Sequence, residues 1–95
     1  MDLVIRFSEE KNQLLKSTRS IGFEEILEII YAGNVLDDLK HPDPKRSSQR
    51  IYLVKIEKHV YAVPYVIDLR RQEIFLKTIY PSRKYTKLYL KGEKS

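Results

Sequence analysis

The order of local signals predicts an α+β domain. Two N-terminal helices pack on one face of a mostly antiparallel sheet of about four strands, and a short C-terminal helix closes the chain. Three observations predict this. Phe23, Ile26, Leu27 and Ile30 fall at i, i+3, i+4 and i+7, one apolar stripe on a helix. From Ile51 onward the pattern changes to short runs rich in Val, Ile and Tyr, separated by polar turn residues. With 95 residues, the chain suits a single domain spanning residues 1–95. A domain of this size buries roughly two-thirds of the surface its unfolded form exposes.

Each element has a local cause. Ser8 is a helix cap followed by Glu9 and Glu10, whose charges suit a first helical turn. The first helix is expected over Glu9–Thr18 with Leu14 and Leu15 on its buried side. The second is expected over Phe23–Ala32, ended by Gly33 in a left-handed conformation. Val35–Leu39 reads as a short strand. His41–Gln49, with two prolines and no periodicity, reads as loop. Ile51–Glu57 and Val60–Ile67 form a hairpin around Lys58-His59. Both faces of Val60–Ile67 are largely apolar, which places it inside the sheet. Pro64 cannot donate to a ladder there, so a bulge is expected beside it. After a turn at Asp68–Gln72, Glu73–Tyr80 is the last strand. Ser82 then caps a helix reaching about Leu90. This order puts the helices on one face of the sheet.

Composition excludes several classes. There is no cysteine, which removes disulfides, thiolate zinc sites and a cysteine nucleophile. The two histidines, His41 and His59, stand 18 positions apart without a carboxylate pair at ligand spacing, so no metal and no cofactor is expected. No apolar run approaches the roughly 20 residues of a membrane span. The opening residues lack the long apolar stretch of a secretory signal, so a cytoplasmic protein with no membrane partner is expected.

Charge is sorted along the chain. Residues 1–38 hold 4 basic and 8 acidic side chains, and residues 70–95 hold 8 and 2. Such a front-to-back gradient gives one surface suited to a polyanion. Neighbouring antiparallel strands bring side chains to about 5 Å of one another. Arg50, Tyr65 and Lys77 are therefore expected to converge on one shallow pocket, with Arg83 and Lys84 just beyond. Lys55, Lys84 and Lys87 are candidate RNA-binding cations, and Tyr80, Tyr85 and Tyr89 offer ring faces for bases.

Such a set fits RNA cleavage without a metal. The 2′-hydroxyl of RNA supplies the nucleophile. Arg and Lys hold the phosphate and stabilise the extra charge of the transition state. A histidine, carboxylate or perturbed phenol moves the protons. Arg50, Lys77, Arg83 and Lys84 suit the first task; His41, Glu57, Tyr65 and Tyr80 are candidates for the second. Each also has a plainer reading. Tyr65 on an apolar strand reads as core, His41 before Pro42 as a residue that orders a turn, and Tyr80 as an anchor of the last strand.

Several separate segments together resemble one family. Glu10-Lys11-Asn12, then Ile21-Gly22-Phe23-Glu24-Glu25, then Arg50-Ile51-Tyr52 opening a strand, then Arg83-Lys84 after the last strand, look like the BrnT-like toxins of type II toxin–antitoxin pairs. The resemblance runs over about residues 7–89. It implies a RelE-like ribonuclease fold and metal-independent endoribonuclease activity on RNA, with mRNA the expected target. It also implies a cognate antitoxin, of the ribbon-helix-helix type, in a toxin–antitoxin hetero-oligomer. Carried over by position, Arg50 matches the strand-opening arginine, Arg83 and Lys84 the closing basic pair, and His41 a histidine in the loop before that strand. His41, Arg50, Tyr65, Lys77, Tyr80 and Arg83 form the candidate catalytic set. The chain departs from the pattern in four places. The family's Gly and Ser around the second helix start are transposed here as Ser20 and Gly22, and Lys77 lies one position away from the family's strand arginine. Gln49 stands where the family commonly has an acid, and Lys84 where it has a second arginine. The competing readings are a nucleic-acid-binding module without catalysis and a protein-interaction domain with a basic face.

Overall fold

The computed structural model describes residues 3–46 and 48–90. Over those residues the elements follow as β1 (Val4–Phe7), α1 (Glu9–Arg19), α2 (Phe23–Tyr31), β2 (Asp37–Lys40), β3 (Gln49–Ile56), β4 (His59–Asp68), β5 (Glu73–Leu76), β6 (Tyr80–Pro81) and α3 (Arg83–Tyr89). A short 3-10 turn at Pro44–Arg46 lies in the loop before β3.

The helix boundaries follow from capping chemistry. Ser8 accepts the Lys11 N–H at 3.1 Å, and Glu9 and Glu10 occupy the positive end of α1. Lys16 and Arg19 sit at its negative end. Gly33, at φ 74°, lets α2 stop sharply: its N–H bonds to Ile30 O at 3.1 Å, and the Asn34 N–H to Ile29 O at 3.0 Å. This pair of bonds closes the helix end on its own carbonyls. Within α1, Leu15 is buried but Leu14 is 52% exposed, against expectation. The inward positions of this helix are Asn12 and Leu15, three apart, and Leu14 points about 100° away from Leu15 and about 160° away from Asn12 around the axis.

The sheet has six strands rather than about four. Its order is β1-β5-β4-β3-β2, with β6 continuing alongside β4. All pairs are antiparallel except β1 with β5, which run parallel from Val4↔Glu73 to Phe7↔Leu76. β1 had no strand signal beyond four residues, and its partner lies 69 positions away. The expected last strand, Glu73–Tyr80, is broken in two. Tyr65 faces Leu76 and Ala62 faces Tyr80, so two residues of β4 oppose three, Lys77, Thr78 and Ile79. The bulge lies opposite Pro64 rather than in Pro64's own strand. Pro64 O accepts the Lys77 N–H at 2.8 Å, so its missing donor faces the bulge, where the ladder is already interrupted.

Two cores lie on opposite sides of the sheet. Under α1 and α2, Leu15, Ile21, Phe23 and Ile26 pack on Val54, Val63, Tyr65, Leu76 and Ile79. On the other side, Tyr85, Tyr89 and Leu90 cover Leu53, Val60 and Ala62. The third helix therefore does not join the first two on one face. Thr86 fixes it there: its hydroxyl accepts the Val60 N–H at 2.8 Å, and the Ser82 N–H bonds to Val60 O at 2.9 Å. No helix among the described residues is long and apolar enough to cross a membrane.

Candidate functional site

The expected single pocket divides into two sites, one on each side of the sheet. Strand alternation decides the division. Tyr65 pairs directly with both Arg50 and Leu76 on the α1–α2 side. Lys77 comes one residue after Leu76 and leaves on the α3 side. Arg50 and Tyr65 therefore meet, and Lys77 does not meet them.

On the α1–α2 side the meeting is a closed polar network. The Arg50 Nε–H is shared between Asp38 Oδ1 at 2.9 Å and the Tyr65 hydroxyl at 3.1 Å. Arg50 Nη2 donates to the Asp38 carbonyl at 3.0 Å. Tyr65 donates to Asp38 Oδ1 at 2.6 Å. The Tyr52 ring stacks on Tyr65 with centroids 4.0 Å apart and planes 14° apart. Burial, reinforced by the bond to Asp38, pushes the Tyr65 phenol far above its usual range. Asp38 and then Tyr65 hold Arg50 even more firmly protonated. This network joins β2, β3 and β4. Its cation is neutralised within the fold, and its phenol is 2% exposed.

On the α3 side the cations stand differently. Helix α3 turns Tyr85, Thr86, Tyr89 and Leu90 toward the sheet and leaves Arg83, Lys84, Lys87 and Leu88 exposed. Lys77 is exposed beside it, and Tyr80, paired with Ala62, is 38% exposed on the same side. Lys55, opposite Val60, also emerges there. Among the described residues, Lys77, Arg83, Lys84 and Lys87 make no salt bridge, and Lys84 lies over the Tyr85 ring at 5.3 Å. Tyr85 and Tyr89, expected as faces for bases, are instead packed on the sheet. Tyr89 donates to Asp37 Oδ2 at 2.5 Å, which raises its phenol and lowers the Asp37 carboxyl.

His41 and Glu57 stand apart from both groups. The His41 Nδ1 accepts the Asp43 N–H at 3.1 Å, which orders the loop after β2. Its basic nitrogen is thereby occupied, and in the neutral ring Nε2 carries the proton as a donor. Glu57 is exposed in the β3–β4 turn at φ 56°.

The motif residues near the N-terminus form a lock between two helices. Asn12 is fully buried; its Oδ1 accepts the Phe23 N–H at 2.7 Å and its Nδ2 donates to Glu24 Oε2 at 2.8 Å. Gly22 carries no side-chain cap, so Asn12 on α1 caps α2 in its place. Lys16 adds a 3.2 Å pair to Glu24. The Glu24 carboxyl is held below its usual range by its own N–H, then by Asn12 and Lys16. A Cβ on Gly22 would lie 2.6 Å from Glu24 Oε1 and Lys16 Cε, and 3.0 Å from Asn12 Oδ1. Only glycine leaves that lock undisturbed.

Asp38 was not singled out in the sequence, and Tyr52 only as the aromatic in the strand-opening Arg50-Ile51-Tyr52 segment. The signal for Asp38 lies in strand register alone: it faces Tyr52 across β2 and β3. Among the described residues, no three His, Cys, Asp or Glu side chains gather in a way that would hold a metal ion. No family model, no curated protein and no solved structure matches the chain.

Proposed function

We propose that this chain is a BrnT-like toxin that binds RNA on the α3 side of its sheet and cleaves it without a metal, restrained by a cognate antitoxin. One observation carries this reading. Lys77, Tyr80, Arg83, Lys84 and Lys87, all from the stretch between β5 and the end of α3, emerge on one side of the sheet. None of these cations is neutralised by an acid among the described residues. A surface of this kind attracts a polyanion and holds a phosphate while its charge increases. The family-like order of motifs adds the class of reaction. On this reading the RNA 2′-hydroxyl gives up its proton to solvent and attacks the adjacent phosphorus, and the bond from phosphorus to the 5′-oxygen breaks to leave a 2′,3′-cyclic phosphate. Arg83 and Lys77 stabilise the pentacoordinate phosphate, and the Tyr80 phenol donates to the departing 5′-oxygen. The antitoxin is a ribbon-helix-helix protein encoded alongside, and the pair forms a hetero-oligomer in the cytoplasm.

The test is expression of the intact chain in bacteria beside the double variant Arg83→Ala/Lys84→Ala. Slowed growth and RNA loss with the intact chain, both relieved in the variant, are expected. Equal growth and equal RNA integrity in the two strains contradict the reading.

A second reading, binding without cleavage, is favoured by one specific arrangement. Tyr65 is buried and held protonated, His41 spends its basic nitrogen on a backbone N–H, and Gln49 stands in place of the family's acid. It predicts salt-dependent RNA binding with the substrate intact after long incubation in metal-free buffer.

A further inference from the structure

The bulge between β5 and β6 changes which side chains share a face. Ile74 and Leu76 of β5 enter the α1–α2 core, so Phe75 and Lys77 face the α3 side. An unbroken strand would carry Ile79 to that same side and send Tyr80 to the other. The extra residue at Lys77–Ile79 reverses this. Ile79 is fully buried beneath α1 and α2, and Tyr80 pairs with Ala62 on the α3 side.

The consequence is a pair of partly exposed aromatic rings on the α3 side. Phe75 is 40% exposed and Tyr80 38%. They lie opposite Val66 and Ala62 of β4, four residues apart in register. That separation is about 13 Å along the strand. Lys77 projects between them. The neighbouring Arg6 is already paired to Glu73 at 2.6 Å, so Lys77 is the cation available at this place.

We infer that Phe75 and Tyr80 form a two-ring platform on which bases of single-stranded RNA stack, with Lys77 holding the phosphate between them. Phe75 thereby becomes a specificity-determining residue that favours single strands over duplex. The inference rests on the RNA-binding reading and adds its substrate class. In a duplex each base face is covered by its neighbours, so it offers the platform only phosphates. An unstacked strand offers ring faces, and base–aromatic stacking tolerates any sequence.

The chain has no tryptophan, so Phe75→Trp introduces a single tryptophan reporter that can be excited apart from the seven tyrosines. Three proteins are compared by fluorescence anisotropy of a labelled single-stranded RNA 12-mer and of its duplex: the full chain, Phe75→Leu and Phe75→Trp. The full chain is expected to bind the single strand more tightly. Phe75→Leu, which keeps apolar bulk but loses the ring, is expected to weaken single-strand binding about tenfold and to leave duplex binding unchanged. Phe75→Trp is expected to keep single-strand affinity, with its emission quenched by the single strand and not by the duplex. Phe75→Leu binding the single strand as well as the full chain overturns the inference and leaves RNA binding standing. A full chain that binds neither RNA overturns the RNA-binding reading and this inference with it.

Discussion

The two sides of the sheet handle polar groups in opposite ways. On the α1–α2 side, Asn12, Glu24, Asp38, Arg50 and Tyr65 satisfy one another at hydrogen-bond distance. On the α3 side, Lys77, Arg83, Lys84 and Lys87 stand exposed without an acid among the described residues, beside two exposed rings. A buried polar group without a partner costs stability, so the first side has closed its networks. Exposed cations cost little in water and remain available to a ligand. Residues that hold the fold thus stand apart from those proposed to meet RNA. The division also reassigns part of the family-like motif, since Asn12, Gly22 and Glu24 act in the lock between α1 and α2.

Substitutions on the two sides should therefore fail in different ways. The largest effect is expected at Asn12→Ala, which leaves the Phe23 N–H buried without an acceptor. A loss of about 3 kcal/mol in urea unfolding is expected. RNA affinity of the folded fraction should stay unchanged, and a weakened affinity there would break the separation. Tyr65→Phe removes the hydroxyl between Asp38 and Arg50, at a cost of about 1.5 kcal/mol. It also has a pH signature. Burial raises the folded Tyr65 phenol above its ordinary value of 10.0, so stability is full below that pH and falls as pH rises beyond it. Tyr65→Phe should flatten this alkaline fall, which unfolding curves between pH 8 and 11 would read.

On the α3 side, Lys77→Gln should leave the unfolding midpoint in place. Its salt slope for RNA binding should drop by about one, read as log affinity against log salt. An unchanged slope would remove Lys77 from the interface. The smallest effect concerns Glu24, an exposed carboxyl whose folded pKa lies below its ordinary 4.5. Its stabilising contribution is present above that value and is lost as pH falls through the lower folded value. Lys16→Gln, measured from pH 3 to 6, should shrink this acid dependence slightly and leave RNA binding unaltered.

Much of the helical structure was legible because its causes are local. Ser8 and Ser82 cap as their side chains suggest, and Gly33 closes α2 with its positive φ. The β3–β4 hairpin follows from alternating apolar residues, although its turn is Glu57-Lys58, one residue before the expected Lys58-His59, because Ile56 pairs with His59. The failures share a different cause. β1 depends on a parallel partner from the far end of the chain, and the bulge after Leu76 depends on what β4 presents there. Neither leaves a mark within a short window. The site suffered most from this, because one extra residue decides which face Tyr80 joins and one step of alternation separates Lys77 from Arg50. Phe75 went unnoticed because an apolar residue in a strand reads as core until its exposure is known.

RNA is expected to meet the α3 side and to leave the α1–α2 side untouched. Titrating RNA into ¹⁵N-labelled protein and following its amide signals tests this most directly. Shifts should concentrate at Phe75–Lys77, Tyr80 and Arg83–Lys87, with Asn12, Glu24 and Asp38 unmoved. Shifts centred on α1, α2 and Asp38, with α3 silent, would contradict the account.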